Sequence, residues 1–220
     1  MAAQARGRLS GIPYLDLIPG RWLHLTMQGI GFADEVSDGG LKAITGAAAA
    51  RLAMVPPVTI ALGPPEVAGE GVTCWASPPR ALDPVRDAVR AGIADVWGAD
   101  RVPESPDWAP HVSVAYGNAD GPGAPIEAAL EGLGGAETTV RAVDLIRLGR
   151  DNRVYEWETI ASLPLATRPA SGSARTPPTR WAGRPPTRIQ QRYGSPLSEI
   201  RASPCYQNMS NMTSSSHRRY

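Results

Sequence analysis

Two histidines, His24 and His111, are each followed two positions later by a hydroxyl side chain, Thr26 and Ser113; the third, His217, has Arg219 at that offset. Both pairs sit in runs that alternate apolar and polar residues, RWLHLTMQ over 21–28 and PHVSVAY over 110–116. That period of two is the pattern of a half-buried strand. On a strand, residues i and i+2 share a face about 6.5–7 Å apart. Each motif therefore projects an imidazole and a hydroxyl side by side from a rigid platform. Two such strands facing each other would gather two imidazoles and two hydroxyls around one small pocket.

That set suits phosphodiester chemistry without a metal. A neutral imidazole takes a proton from the attacking hydroxyl or water, and a protonated one gives a proton to the leaving oxygen; histidine serves both roles near neutral pH. The hydroxyls of Thr26 and Ser113 donate to the non-bridging phosphate oxygens, where transition-state charge is held. A zinc site is disfavoured, because the strand pair supplies two imidazoles and no third ligand at a recognisable spacing. No cofactor is expected.

The elements that must position these groups follow from the pattern. Ser37 or Asp38 caps a helix expected over about 41–54 and stopped by Pro56-Pro57. VTIAL at 58–62 and VTCWA at 72–76 read as a hairpin. PVRDAVRAGIADVW at 84–97 is the clearest amphipathic helix, with Pro84 in its first turn and Asp83 as its cap. A short helix near 126–133 and strands over 139–148 and 153–163, joined by a turn at 149–152, complete the order β-α-β-β-α-β-α-β-β. This is an α+β pattern in which each half begins with a His-x-Thr/Ser strand and finishes with paired strands, so it reads as an internal duplication.

HLT at 24–26 and HVS at 111–113, with this order of elements and with RWLHLTMQGIGF, PHVSVAY and VYEWETIASLPL around them, resemble the two-histidine (2H) phosphoesterase superfamily, and within it the bacterial 2'-5' RNA ligase-like branch. The resemblance covers roughly residues 12–165. It implies a bilobed fold with a central cleft, catalytic roles for His24 and His111, and phosphate-binding roles for Thr26 and Ser113. It implies RNA ends or small nucleotide cyclic phosphates as partners, and hydrolysis of 2',3'-cyclic phosphates or joining of 2'-5' linkages as the activity. The competing reading is a non-catalytic protein of the same fold that holds RNA ends or nucleotides.

Further residues are weighed beside the motifs. Gln28 continues the face of His24 and Thr26 and is a candidate substrate contact, against a solvated strand end. Tyr155 and Trp157 make one side of their strand aromatic; Tyr155 is a candidate for stacking on a base, against filling the core. Arg147 and Arg153 flank the last hairpin and are candidate phosphate contacts, against ordinary surface arginines. Trp75 and Trp97 read as core, and Cys74 as a small buried apolar residue.

Composition bounds the rest. The chain has 220 residues and a formal net charge of +1, but its halves differ in kind. Residues 1–165 are acidic on balance and long enough for a core, with 23 residues before His24 and hence an abbreviated first lobe. Residues 166–220 hold nine arginines, seven prolines and nine serines against one acidic residue, Glu199, and are expected to stay disordered. No apolar run approaches the ~20 residues that span a bilayer, and MAAQARGRLSG lacks the apolar segment of a secretory signal. Two cysteines, one in each part, make no disulfide framework. The expectation is a cytoplasmic monomer without membrane partners.

Overall fold

Each alternating run that carries a motif is a strand that begins at its histidine, His24–Phe32 and His111–Gly117. The computed structural model describes residues 1–69, 71–105, 107–149 and 153–167, together with the backbone of 201–207. Its elements in chain order are α1 (Ala2–Leu9), β1 (Leu15–Leu17), β2 (His24–Phe32), α2 (Asp38–Leu52), β3 (Val58–Leu62), β4 (Glu66–Ala68), β5 (Gly71–Ser77), α3 (Asp83–Trp97), β6 (His111–Gly117), α4 (Ala124–Leu130), β7 (Ala136–Val140), β8 (Ala142–Gly149), β9 (Glu156–Pro164) and β10 (Arg201–Gln207). Among the described residues no helix is long and apolar enough to cross a membrane.

The strands make two sheets, one in the order β1-β6-β5-β3-β7 with β4 beside β5, the other in the order β2-β10-β8-β9. Helices α1 and α4 pack together against β6 and β4, and α2 and α3 pack together against β9 and β2. The architecture is thus the expected α+β fold with two lobes. The lobes, however, are not the two sequence halves. The first half sends its motif strand β2 to one sheet and its hairpin strands β3 and β5 to the other; the second half does the converse with β6 and the hairpin β8–β9. Each histidine strand is therefore held in a sheet completed by strands from the other half.

Local chemistry explains the elements. Ser37 caps α2, its hydroxyl accepting from the Gly40 amide at 3.2 Å. In β2, Leu25 and Met27 are fully buried, and in β6 Val112 and Val114 are, so the face opposite each motif supplies the core. The helices α2 and α3 approach closely at Gly92, where an added Cβ would lie 2.6 Å from the Cα of Ala48. The Arg51–Asp95 pair at 2.6 Å also joins these helices, but both groups are exposed and the pair adds little stability.

Several expectations are corrected. The N-terminal segment before His24 contains α1, whose buried Ala2, Ala5 and Leu9 follow a helical spacing, and β1, which pairs with β6. The run at 139–148 is two strands, broken at Arg141, with β7 on β3 and β8 on β9. Asp83 is the first helical residue of α3 rather than its cap; the cap position is Leu82, and the Asp83 carboxylate accepts from Arg80 at 2.7 Å. Between the two strands of the expected hairpin, Glu66–Ala68 forms a further strand that pairs with β5. Of the tail expected to be disordered, 201–207 forms β10, parallel to both β2 and β8. It fills the space between two strands that would otherwise present open hydrogen-bonding edges to each other. Its register shifts between Ser203 and Pro204, where proline has no amide proton to donate. The rest of that expectation lies outside the described residues, as does the 150–152 part of the expected turn.

Gly92→Ala should lower the free energy of unfolding by roughly 1–3 kcal/mol, since the added methyl overpacks the α2–α3 contact. Gly46→Ala, in open space on the same α2, should be neutral or raise it by up to about 1 kcal/mol. Urea denaturation of both variants checks the packing, and the reverse order of effects would refute it.

Candidate active site

The two motifs are built alike at the level of single atoms. The Nδ1–H of His24 donates to the carbonyl of Trp22 at 3.0 Å, and that of His111 donates to the carbonyl of Ala109 at 2.8 Å. In both, the acceptor lies two residues before the ring. A carbonyl can only accept, so each bond fixes the proton on Nδ1 and leaves Nε2 as the basic nitrogen. The strands β2 and β6 approach one another, and the rings are close enough that charge on His111 disfavours charge on His24.

Their surroundings differ. His24 is half-buried among aromatic rings, with Trp157 at 5.1 Å and Tyr155 at 6.3 Å between centroids, both edge to face. Burial lowers its pKa from the ordinary imidazole value; the hydrogen bond to Trp22 opposes this, and His111 adds to it. His24 is thereby biased toward the neutral form that accepts a proton. His111 is exposed, and its neighbour is Trp75, with ring centroids 5.3 Å apart. A cavity of about 280 Å³ opens there, lined by His111, Ser113, Thr73, Trp75 and Tyr116. His24 and Thr26 do not line it; the Tyr155 ring meets Tyr116 of the cavity wall at 5.5 Å and His24 at 6.3 Å.

The remaining candidates divide. Tyr155 is brought to the site and bridges the two sides. Gln28 is not: it is 2 % exposed, its amide donates to the Pro103 and Gly29 carbonyls, and its oxygen accepts from Arg90 at 2.9 Å. Its expected substrate contact is corrected to an internal brace. Arg147 faces Glu158 across the β8–β9 ladder at 3.7 Å, and Arg153 pairs with Asp16 at 3.2 Å. Cys74 is fully buried as expected, and burial pushes its thiol up to about 12. Trp75 is not core but 37 % exposed. The alternation in VTCWA carries the signal: Val72, Cys74 and Ala76 face inward, so Thr73 and Trp75 take the other face.

A brace holds the motif strands in place. The segment before β6 is tied to β2 by α3. Arg90 donates to the Pro103 carbonyl at 2.8 Å and to Glu104 at 2.9 Å. Arg86 donates to the carbonyls of Met27 and Ser105 at 3.2 Å each and lies over the Trp108 ring. The Trp108 indole donates to the Thr26 carbonyl at 2.9 Å. Spacing of Arg86 and Arg90 by four on one helix face is the signal for this set. Among the described residues no three His, Cys, Asp or Glu side chains group to hold a metal ion.

A family model described as the 2'-5' RNA ligase superfamily matches residues 3–152. The crystal structure of TT0787 of Thermus thermophilus has a similar fold, with a TM-score of 0.58 at 20% identity over 74% of this chain and 89% of that chain. A comparison with curated proteins finds no match.

The lowered pKa of His24 links stability to pH. The unfolded chain protonates this ring near the ordinary value of about 6.5, whereas the folded chain resists it. Its contribution is therefore complete above that pH and is lost as pH falls through the folded value. Denaturation at pH 7.5 and 5.5 should show a larger acid-side loss for the wild type than for His24→Gln; equal losses would contradict the burial argument.

Proposed function

The chain belongs to the 2'-5' RNA ligase superfamily, and we propose that within it this protein is a metal-independent phosphoesterase acting on RNA 2',3'-cyclic phosphates, or in the reverse sense on 2'-5' linkages. The observation that carries this reading is the matched pair of imidazoles, each with Nδ1 pinned by a carbonyl two residues earlier and Nε2 left basic. A pair of like-built groups with unlike environments suits a reaction that needs one base and one acid.

In the hydrolytic direction His24, biased toward its neutral form, takes the proton of the attacking water at Nε2. The water oxygen forms a bond to phosphorus while one ring P–O bond breaks. Protonated His111 gives its Nε2 proton to the departing oxygen, and the two histidines end with exchanged protonation states. Hydroxyls of Thr26 and Ser113 donate to the non-bridging oxygens as charge builds there. Ligation is the same path reversed, with a ribose hydroxyl in place of water. The setting we propose is cytoplasmic and the protein a monomer.

Incubation with nucleoside 2',3'-cyclic phosphates in EDTA should yield a single monophosphate isomer. Replacing His24 or His111 by Ala should each lower kcat by about 10²–10⁴-fold while circular dichroism stays unchanged. The pH profile should be bell-shaped, with apparent values that belong to the pair. Its acid limb should fall below the ordinary imidazole value, following the lowered pKa of His24. Full activity in the double variant would end the proposal.

A further inference from the structure

Trp75 is placed against the habit of its residue type. A large indole left 37 % exposed forgoes the gain of about 25 cal/mol for each Å² of apolar surface that burial would bring. It is nonetheless held firmly. Its N–H donates to Glu66 Oε1 at 2.7 Å, and Glu66 sits on β4, which pairs with β5. Register across β5 and β6 sets Trp75 opposite His111 and Thr73 opposite Ser113. The cavity beside them is floored by Gly69 and Gly71. Glycine is required at 71, where a Cβ would collide with the Ala115 carbonyl, and suits 69, whose φ is +51°. Room has been kept next to an exposed, oriented aromatic face and the second motif.

We propose that this cavity is a nucleoside subsite in which the base of the substrate stacks on Trp75, with its ribose between that base and His111. The inference deepens the phosphoesterase reading and rests on it. In a nucleoside 2',3'-cyclic phosphate the base is attached at C1', adjacent to the C2' whose oxygen carries phosphorus. Base and phosphorus are thus one sugar apart, and Trp75 and His111, whose rings meet at 5.3 Å, line the same cavity. The reaction geometry agrees. Displacement at phosphorus is in line, so the departing oxygen, and the ribose that keeps it, lie opposite the attacking water. With His24 as base, ribose and base fall on the His111 side, where the cavity is. On the His24 side, Trp22 and Trp157 pack edge to face at 4.9 Å. Stacking reads the face of a base rather than its edges, so all four bases should be accepted, purines better for their area.

The test compares two substrates. Trp75→Ala should raise KM for nucleoside 2',3'-cyclic phosphates by roughly 5- to 100-fold with kcat little changed. Trp75→Phe, which keeps a stacking face, should recover most of the loss. For glycerol 1,2-cyclic phosphate, which has the same phosphate ring and no base, neither variant should change KM. An unchanged KM for the nucleotide, or an equal rise for both substrates, would overturn the subsite. A second readout does not need turnover: nucleoside monophosphates should quench indole emission in the wild type and much less in Trp75→Phe. Quenching that depends on Trp75 in a protein that hydrolyses no cyclic phosphate would uphold the subsite and reject the phosphoesterase reading. Quenching unaffected by Trp75→Phe would reject the subsite.

Discussion

The site depends on a tie between two segments that the chain itself keeps far apart. His24 starts β2 and His111 starts β6, and these strands belong to different sheets. Hydrogen bonds within either sheet therefore cannot set the distance between the rings. The cross-brace of α3 ties the two segments: Arg86 spans the Met27 and Ser105 carbonyls with Nε and an Nη, Arg90 donates from one Nη to both Gln28 and the Pro103 carbonyl, and Trp108 bonds the Thr26 carbonyl. The ladder between β10 and β2 passes from Thr26 to Gln28, and the Met27 carbonyl it skips is the one that accepts from Arg86. Guanidinium groups suit this work because their donors form a planar fork that reaches two acceptors at once. Burial, with the neighbouring Arg90, lowers the pKa of Arg86 from its ordinary value, yet a guanidinium stays charged at any physiological pH. The brace therefore holds while the histidines titrate.

The same economy governs the imidazoles. A ring free to rotate or to change tautomer would offer its basic nitrogen to the substrate only part of the time. A carbonyl two residues back removes that freedom at both sites through the local backbone, without a carboxylate partner. A carboxylate would favour the charged ring through its full charge, whereas at His24 the neutral carbonyl raises the proton affinity by less than burial lowers it. The surroundings of that ring are aromatic, it is half-buried, and its neutral form is favoured. The acid and base roles proposed for the two rings can then separate although the motifs are nearly identical in sequence.

Much of this was legible in the residues. The alternation around His24 and His111 located both strands, because a half-buried strand must repeat every two residues. The apolar spacing at 85, 89 and 93 located α3 for the corresponding helical reason, and Ser37 marked the start of α2. What was not legible was non-local. Nothing in the run 139–148 says that the chain changes sheets at Arg141, because both sides of the break read as strand and no turn residue separates them. Gln28 shares the face of His24 and Thr26, and its burial comes from a segment 75 residues away. Helix α1 was missed because two of its three buried positions are alanines, too small to mark an apolar stripe. The pairing of 201–207 with β2 had no local signal at all, and Pro204 argues against it in isolation.

Interleaving of the halves makes the site inseparable from the fold. In a simple tandem duplication each lobe would be complete in its own half, and the cleft would be an interface between two bodies free to shift. Here β3 and β5 of the first half complete the sheet of His111, and β8 and β9 of the second half belong to the sheet of His24. Relative motion of the lobes would have to strain the connections from β2 through α2 to β3 and from β7 to β8, the latter a single residue, Arg141. A rotation at so short a linker would act directly on the ends of β7 and β8, which lie in different sheets. In the reaction proposed for this chain both histidines serve one phosphorus atom, and because proton transfer depends steeply on distance, two rings on separate sheets need some such constraint. The crossed connectivity supplies it through the backbone, and the α3 brace refines it through side chains.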